Sequence, residues 1–220
     1  MPAIDAQQRY WDGVAASARF THPLNVAALT RYVARCDPVL DFGCGYGRVL
    51  HELERAGFSS LTGVDSSRGM LDRARMLVPQ ASLLLAEQYP LPLPDASFQC
   101  AILFAVLSCH PTDAAHEAIV EELCRLLRPG GIVYVSDFPL QTDAPRRERY
   151  ERFRGAYGVF GTFETDDGAV MRHLDSQWFR RLMTPFAQLD LHLIPLETMK
   201  GNAAIGFQYI GRRAAGAPSP

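Results

Sequence analysis

From Pro38 to the end of the chain, short runs of apolar residues alternate with segments in which apolar positions recur with a helical period. The apolar runs around Leu84 and Ile102 are continuous, which is typical of strands that are buried on both faces. The helical segments carry one apolar stripe, as at Ile119 and Leu123. This pattern predicts an α/β fold, with a doubly wound and mostly parallel sheet covered by helices on both faces.

Six or seven strands fit this alternation, and we predict a sheet of seven. In chain order the segments are PVLDFG, LTGVD, ASLLLAE, FQCAILFAVL, IVYVSDF, LDLHLIPL and AAIGFQYIG. The last two are separated by ETMKGN and predict a terminal hairpin, which adds one antiparallel strand to the parallel set. A helix between the fourth and fifth strands is expected to begin near Thr112 or Asp113, since both are good N-cap residues.

Two segments lie outside the alternation. Residues 1–35 predict a helical cap, with one or two helices broken by THP. Residues 138–175 are too long for an ordinary connection, so we predict that they form a lid inserted into an α/β domain of residues 36–213. An Asp-Gly pair in the lid predicts a hairpin turn. Residues 214–220 are rich in small residues and proline and are expected to be a flexible tail.

Composition narrows the functional classes. With 220 residues, 48% of them hydrophobic, the chain is long enough for one good core and short for two. A formal net charge of −2 supplies no basic field for a phosphate backbone, so we expect no nucleic-acid partner. No apolar run approaches the length of a membrane span, and the first residues lack a basic segment followed by an apolar one. We therefore expect a cytoplasmic protein without membrane contact.

The five cysteines show no CxxC spacing, which is typical of reduced thiols. We expect no disulfide, no structural zinc and no other metal. The terminal hairpin and the lid hairpin both offer strand edges for dimer contacts, so a monomer and a homodimer remain alternatives.

The glycine-rich segment VLDFGCGYGRVL, which follows an apolar strand, is the strongest candidate for a ligand site. A dinucleotide fingerprint would place its third glycine where Arg48 stands, and a phosphate loop would need a following Gly-Lys pair, so neither pattern fits. Asp41 would also repel a pyrophosphate at the next helix N-terminus. Asp41 would not repel a zwitterionic ligand that places its positive charge there.

The same segment resembles the first motif of the class I S-adenosylmethionine (SAM)-dependent methyltransferases. Further resemblances follow in the family's order, in LTGVDSS, in LLLAEQYPLPLPDASFQCAIL and in LLRPGGIVYVSDF. Together they cover roughly residues 38–138. The resemblance implies a Rossmann-like methyltransferase fold and SAM as the cofactor.

The resemblance also implies positions around the cofactor. Gly43 and Gly45 would let the backbone approach the methionine moiety, with Asp41 near its ammonium group. Asp65 would accept hydrogen bonds from the ribose hydroxyls. The remaining positions implied by the resemblance border adenine, border the sulfonium or fold across the cofactor: Ser66, Met70, Glu87, Gln88, Phe104, Tyr10 and Trp11. Glu87 stands where the family usually has aspartate, which keeps the acceptor and lengthens its reach.

Methyl transfer is an in-line displacement, and the family provides no fixed catalytic residue. A general base is needed only for an acceptor that arrives protonated, and a histidine of near-neutral pKa would suit that role. Candidates come from segments that should overhang the cofactor: His22, His110, His173 and Tyr157. His173 and Arg172 lie on one predicted strand and point to opposite faces, so at most one of them faces the cleft.

Five arginines fall between residues 146 and 154 among other polar residues. They predict a solvated helix face. An anionic acceptor is the alternative interpretation that these arginines leave open.

The leading functional hypothesis is methyl transfer to a small molecule, because nothing in the sequence indicates a nucleic-acid module and the one large insertion is rich in aromatic residues. A second hypothesis keeps SAM but changes the reaction, since some enzymes of this fold cyclise SAM itself to azetidine-2-carboxylate and methylthioadenosine. A third is a non-catalytic SAM-binding or partner-binding module. A macromolecular substrate is a fourth, which the acidic balance disfavours.

Overall fold

The structure is a computed structural model that describes the backbone of residues 3–214 and the side chains of residues 7–214. Its nine strands, in chain order, are β1 Pro38–Phe42, β2 Ser60–Asp65, β3 Ser82–Leu85, β4 Phe98–Phe104, β5 Leu127–Asp137, β6 Thr162–Glu164, β7 Val170–Arg172, β8 Phe186–Glu197 and β9 Ala203–Arg213. Seven of them form one sheet in the order β3-β2-β1-β4-β5-β9-β8, while β6 and β7 form a separate hairpin.

Strands β1 to β5 pair in parallel, and β9 runs antiparallel between β5 and β8. The prediction of a mostly parallel sheet of seven strands with one antiparallel member is therefore confirmed. The strand order reverses at β1, which lies between β2 and β4. In open α/β sheets a ligand crevice forms at such a reversal, beyond the carboxyl ends of the strands.

Seven helices surround the sheet: α1 Ala3–Val14, α2 Val26–Leu29, α3 Arg48–Arg55, α4 Arg68–Leu77, α5 Asp113–Leu126, α6 Ala144–Tyr157 and α7 Ser176–Leu182. Side-chain caps begin several of them. Thr112 accepts a hydrogen bond from the Ala115 amide at the start of α5, and Asp143 accepts one from the Arg146 amide at the start of α6. A cap satisfies an amide that would otherwise lack a partner in the first turn.

The core lies on both faces of the sheet. Along β4, Ala101 and Leu103 pack into one apolar cluster, and the alternate residues Cys100 and Ile102 pack into the other. All four are at most 1% exposed. Burial on both faces explains why this strand is a continuous apolar run in the sequence.

Residues 1–35 include α1 and α2, as the predicted helical cap requires. Helix α1 docks on α4, where Asp12 accepts hydrogen bonds from the Ser67 hydroxyl at 2.5 Å and the Gly69 amide at 3.2 Å. Residues 215–220 of the predicted flexible tail lie outside the described residues.

Residues 138–175, the predicted lid, hold α6 and the β6–β7 hairpin. The hairpin turns between Thr165 and Ala169, as the Asp-Gly pair predicts. The lid joins the body through a parallel bridge between Pro139 and Leu174. We keep the division into cap, domain and lid as a proposal.

The loop between β3 and β4, residues 86–97, is held by one buried ion pair. Glu122, only 5% exposed, accepts from the Leu91 amide at 2.8 Å. Arg125 donates to Glu122 at 2.6 and 2.9 Å and to Asp95 at 2.5 Å. Two carboxylates and one guanidinium thus fix a loop that has no regular structure of its own.

Replacing Arg125 with alanine should lower the free energy of unfolding by about 2 kcal/mol, because the buried Glu122 carboxylate loses its counter-charge. Part of the side chain is exposed, so we place the effect below that of a fully buried pair. The midpoint of thermal unfolding should fall by about 4–8 °C, measured by circular dichroism. Arg75→Ala is the matched control, since its ion pair with Asp72 is mostly exposed, and it should change stability by less than about 1 kcal/mol. Equal shifts in both variants would contradict the prediction.

Within residues 3–214, no helix combines the length and apolar character that a membrane span requires. All five cysteines carry free thiols, and Cys44 and Cys100 are buried.

Candidate active site

A cavity of about 940 Å³ opens at the carboxyl ends of β1, β2 and β4. The helical cap, the lid and the loop between β8 and β9 contribute its remaining walls. This volume is at the upper end of the range for small-molecule sites. The position matches the crevice expected where the strand order reverses.

The glycine-rich turn forms the floor of this cavity. The Gly43 and Cys44 amides both donate to the Val64 carbonyl, at 2.8 and 2.9 Å. Gly45 adopts a φ of +53°, and a Cβ atom there would stand 2.2 Å from the Phe20 ring. Only glycine meets both conditions without a shift of the ring. The turn therefore brings bare backbone to the cavity.

Asp65 ends β2 and connects the turn to α4. One carboxylate oxygen accepts from the Gly45 amide and the other from the Ser67 amide, both at 2.8 Å. Each oxygen keeps a further lone pair for a ligand hydroxyl. Burial raises the pKa of Asp65, against the effect of these two amides, which favour the charged form.

Asp41 lines the same end of the cavity and is 2% exposed. Its Oδ2 has no hydrogen-bond partner within residues 7–214. Burial raises the pKa of Asp41 to about 7, although the positive charge of Arg48 acts in the opposite direction. A buried carboxylate of this kind is satisfied by a ligand cation.

The residues predicted to border adenine lie along the next wall. Met70 is 1% exposed, and Ser66 accepts through its carbonyl from the Gln8 side chain at 2.8 Å. Glu87 pairs with Arg68 at 2.8 Å, and both side chains are mostly exposed. Gln88 also lines the cavity. The roles of these residues toward a cofactor stay predictions.

Helix α1 closes the cavity from above. Tyr10 and Trp11 both line it and contact each other edge to face at 5.0 Å between ring centroids. The Tyr10 hydroxyl donates to Asp167 of the lid at 3.0 Å, and Lys200 donates to the same carboxylate at 3.0 Å. Gln7 donates to the Cys109 carbonyl at 2.7 Å and to the Val170 carbonyl. The helical cap is thus tied to the lid by side chains.

His22 lies beneath this cover, on the far side of the cavity. Its Nδ1 is 2.9 Å from the Ser136 hydroxyl, and its Nε2 is buried without a hydrogen bond from residues 7–214. The ring contacts Phe138 edge to face at 4.7 Å. Burial, with a contribution from the charge of Arg48, lowers the pKa of His22 to about 3.

His173 of the lid continues this row of rings, 5.3 Å from Phe138. Its Nδ1 is 2.5 Å from the Tyr150 hydroxyl, which itself accepts from the Gln141 amide at 3.2 Å. Burial lowers the pKa of His173 to about 3, and the charge of Arg149 contributes. His173 lines the cavity. The sequence predicts that at most one of His173 and Arg172 does so.

Arg172, the other residue of that pair, turns away from the cavity. It is 3% exposed and forms an ion pair with Asp113 at 2.7 Å. This arrangement agrees with the expectation that at most one residue of the pair faces the cleft.

His110 also lines the cavity, where burial lowers its pKa to about 4. The prediction that a candidate histidine has a near-neutral pKa is therefore wrong for His22, His110 and His173, because burial lowers the pKa of each ring. Tyr157 does not line the cavity. Its hydroxyl donates to Glu164 at 2.6 Å on the outer side of the lid, so we remove it from the catalytic candidates.

Other cavity residues were missed by sequence reasoning. Phe20 packs over the glycine turn and stacks on Tyr46 at 5.1 Å. Ala105, directly after β4, adopts a φ of +57°, which is uncommon for a residue other than glycine. No local sequence signal marks either one. Arg146, Arg149 and Arg152 also line the cavity, so the prediction of a purely solvated arginine face is wrong.

SAM fits the residues present. Its ammonium group would meet the unpartnered Asp41 oxygen, its methionine moiety the bare backbone at Gly45, and its ribose hydroxyls the remaining lone pairs of Asp65. Each of these features favours a ligand that is cationic at one end and carries hydroxyl groups.

Known proteins agree with this assignment. The family described as a methyltransferase domain matches residues 39–131. Methyltransferase-like protein 27 of Homo sapiens is 32% identical over 64% of this chain and 55% of its own length. Trans-aconitate 2-methyltransferase of Azoarcus is 29% identical over 78% of this chain and 66% of its own length. The chain spans about half the length of the first curated relatives, 47% in the shortest match.

A solved structure described as a SAM-dependent methyltransferase of Methanosarcina mazei superposes with a TM-score of 0.81. It is 23% identical, and the match covers 89% of this chain and all of that one. This likeness concerns the fold. The ordered motifs, the matching methyltransferase domain and the methyltransferase relatives together support a class I SAM-dependent methyltransferase with SAM as its cofactor.

Proposed function

We propose that the protein transfers the methyl group of SAM to a small-molecule acceptor held in the same cavity. The observation that carries the proposal is the extent of the cavity, which runs from the glycine turn and Asp65 to the lid residues Phe163 and His173. Apart from Tyr10 and Trp11 of α1, the proposed cofactor residues lie toward the strand termini. The space toward the lid is available to a second molecule.

SAM supplies an electrophilic methyl group on a sulfonium. The chain supplies proximity and alignment, which lower the barrier by holding the two reactants within reach. Tyr10 and Trp11 exclude water from above, and Phe104 borders the cavity at the end of β4. Aromatic faces near a sulfonium add cation-π attraction of about 0.5–2 kcal/mol.

Three histidines line the cavity in which we place the acceptor. His22, His110 and His173 are neutral at pH 7, since the pKa of each is lowered to about 3 or 4. A neutral imidazole orients an acceptor by a hydrogen bond. The Nε2 of His22 is buried and has no hydrogen-bond partner within residues 7–214.

Mass spectrometry of reaction products tests the proposal. Purified protein with SAM and a mixed metabolite extract should form S-adenosylhomocysteine, and methyl-deuterated SAM should transfer its label to the acceptor. Protein with SAM alone should form little of either product. Asp65→Ala should abolish the reaction, whereas Asp72→Ala, an exposed position on α4, should not.

Two results would contradict the proposal. Methylthioadenosine formed without extract would indicate cyclisation of SAM, and tight SAM binding without any turnover would indicate a binding module. The comparisons support neither of these alternatives.

A further inference from the structure

Arg149 of α6 is a half-buried cation in the cavity wall that forms no ion pair within residues 7–214. Its guanidinium lies over the Phe163 ring, 3.8 Å from the centroid, and it lines the cavity. Its Nε is buried without a hydrogen bond, and within residues 7–214 no carboxylate lies at ion-pair distance from it. A partly buried cation without a partner is unfavourable unless a ligand supplies the missing charge.

The other cations of this wall either form an ion pair or are solvated by water. Arg146, one turn earlier on α6, pairs with Asp143 at 2.9 Å and donates to the Ala203 carbonyl at 2.5 Å. Lys200 pairs with Asp167 at 3.0 Å. Arg152 lines the cavity but is exposed, so water solvates its charge. Arg149 is thus the half-buried cation in this wall that a ligand would neutralise.

Burial lowers the pKa of the Arg149 guanidinium, and the charge of Arg146 acts in the same direction, while the more distant charges of Asp143 and Asp166 oppose it. An anion beside Arg149 would reverse this effect.

His173 supplies a second donor at the same place. Its ring contacts the same Phe163 edge to face at 5.0 Å. The Tyr150 hydroxyl accepts from the Gln141 amide, and we take its own proton to point to His173 Nδ1, which selects the tautomer protonated at Nε2. This tautomer leaves His173 Nε2–H as a donor. Apolar residues of the same lining are Phe138, Ala169 and Met171.

We infer that the acceptor carries an ionised carboxylate, which Arg149 binds with help from His173 while the apolar residues of the lining hold the rest of the molecule. The inference rests on the proposed function and names the substrate class of the same site. A carboxylate has oxygens that accept only, as the two donors require. Since Asp143 and Asp167 already neutralise Arg146 and Lys200, a single negative charge matches this wall better than a phosphate dianion.

Binding of simple probes tests the inference without turnover. With S-adenosylhomocysteine present, affinities are measured by nuclear magnetic resonance titration for 3-phenylpropanoate, its neutral amide 3-phenylpropanamide, and phenyl phosphate. The carboxylate should bind at least about tenfold more tightly than the amide, as expected for a hydrogen-bonded charge pair. Arg149→Gln should remove this preference, and Arg149→Lys should keep part of it. Arg147→Gln, on the exposed side of α6, is the matched control and should keep all of it.

A preference that is absent in the native protein, or that survives in Arg149→Gln, would overturn the inference. So would the absence of carboxylate binding at millimolar concentration, or tighter binding of phenyl phosphate. Affinity for S-adenosylhomocysteine should change less than about twofold in all variants, which excludes misfolding as the cause.

Turnover separates this inference from the proposed function. The metabolite extract is divided by anion exchange before the assay, and formation of S-adenosylhomocysteine should follow the anionic fraction and fall at least about tenfold in Arg149→Gln. Turnover confined to the neutral fraction would overturn the carboxylate inference and leave methyl transfer standing. No turnover in any fraction, with the carboxylate preference intact, would overturn methyl transfer alone.

Discussion

Asp65→Ala is expected to lower the affinity for S-adenosylhomocysteine by about two to four orders of magnitude, measured by isothermal titration calorimetry. Two ribose hydroxyls would lose a charged acceptor, and each such hydrogen bond contributes about 1.5–3 kcal/mol. The Gly45 amide would also lose its partner at 2.8 Å, so the glycine turn would loosen. Asp65→Asn keeps one acceptor oxygen and should lie between the native protein and the alanine variant.

Asp72→Ala controls for the loss of a carboxylate from this region, because Asp72 is exposed and lies one turn into α4. Its affinity should match that of the native protein. An Asp65→Ala variant that stays folded and binds within about tenfold of the native protein would remove Asp65 from the ribose site.

Cofactor binding should depend on pH through Asp41. In our proposal the ammonium group of the ligand binds the ionised carboxylate, and burial raises the pKa of Asp41 to about 7 in the free protein. Below that pH the carboxyl group must lose a proton before it can pair, so affinity falls as pH falls. Affinity for S-adenosylhomocysteine should rise about 50-fold from pH 5 to pH 7, by the linkage between proton and ligand binding.

Asp41→Asn cannot ionise at this position, so its affinity should be weak and should lose the part of the pH dependence that Asp41 causes; any remainder would come from Asp65, whose pKa burial also raises. The three cavity histidines stay neutral in this window, since the pKa of each lies at about 3 or 4. Titration calorimetry in buffers of different ionisation enthalpy should also detect proton release near pH 6 with the native protein. A variant that retains the native pH profile would show that the dependence arises elsewhere.

The positions of the strands along the chain could be predicted because parallel strands buried on both faces leave continuous apolar runs. The apolar run at β4 and the glycine turn after β1 could both be predicted from the local sequence alone. Most candidate cofactor residues follow from the same local motifs, since they stand at or soon after the end of a strand, whereas Tyr10 and Trp11 lie on α1. Their contacts fit SAM, and their individual roles stay predictions.

The acceptor side could not be predicted in the same way. Whether Arg149 is solvated or faces the cavity depends on how α6 packs against the β6–β7 hairpin, and that contact joins distant positions of the lid. The pKa values of the histidines depend on burial by cap and lid together, which no sequence window contains. The position of Tyr157 could not be predicted either, because its hydrogen bond to Glu164 forms only in the folded lid.

The shared carboxylate of Asp167 has a kinetic consequence. It holds Tyr10 of the helical cap and Lys200 of the terminal hairpin at once, so two walls of the cavity separate only when these contacts break. Each hydrogen bond contributes about 1 kcal/mol net, so molecules with the cap released form a minority at any instant. We therefore expect a ligand to enter and leave through a minority state in which the cap is released from Asp167.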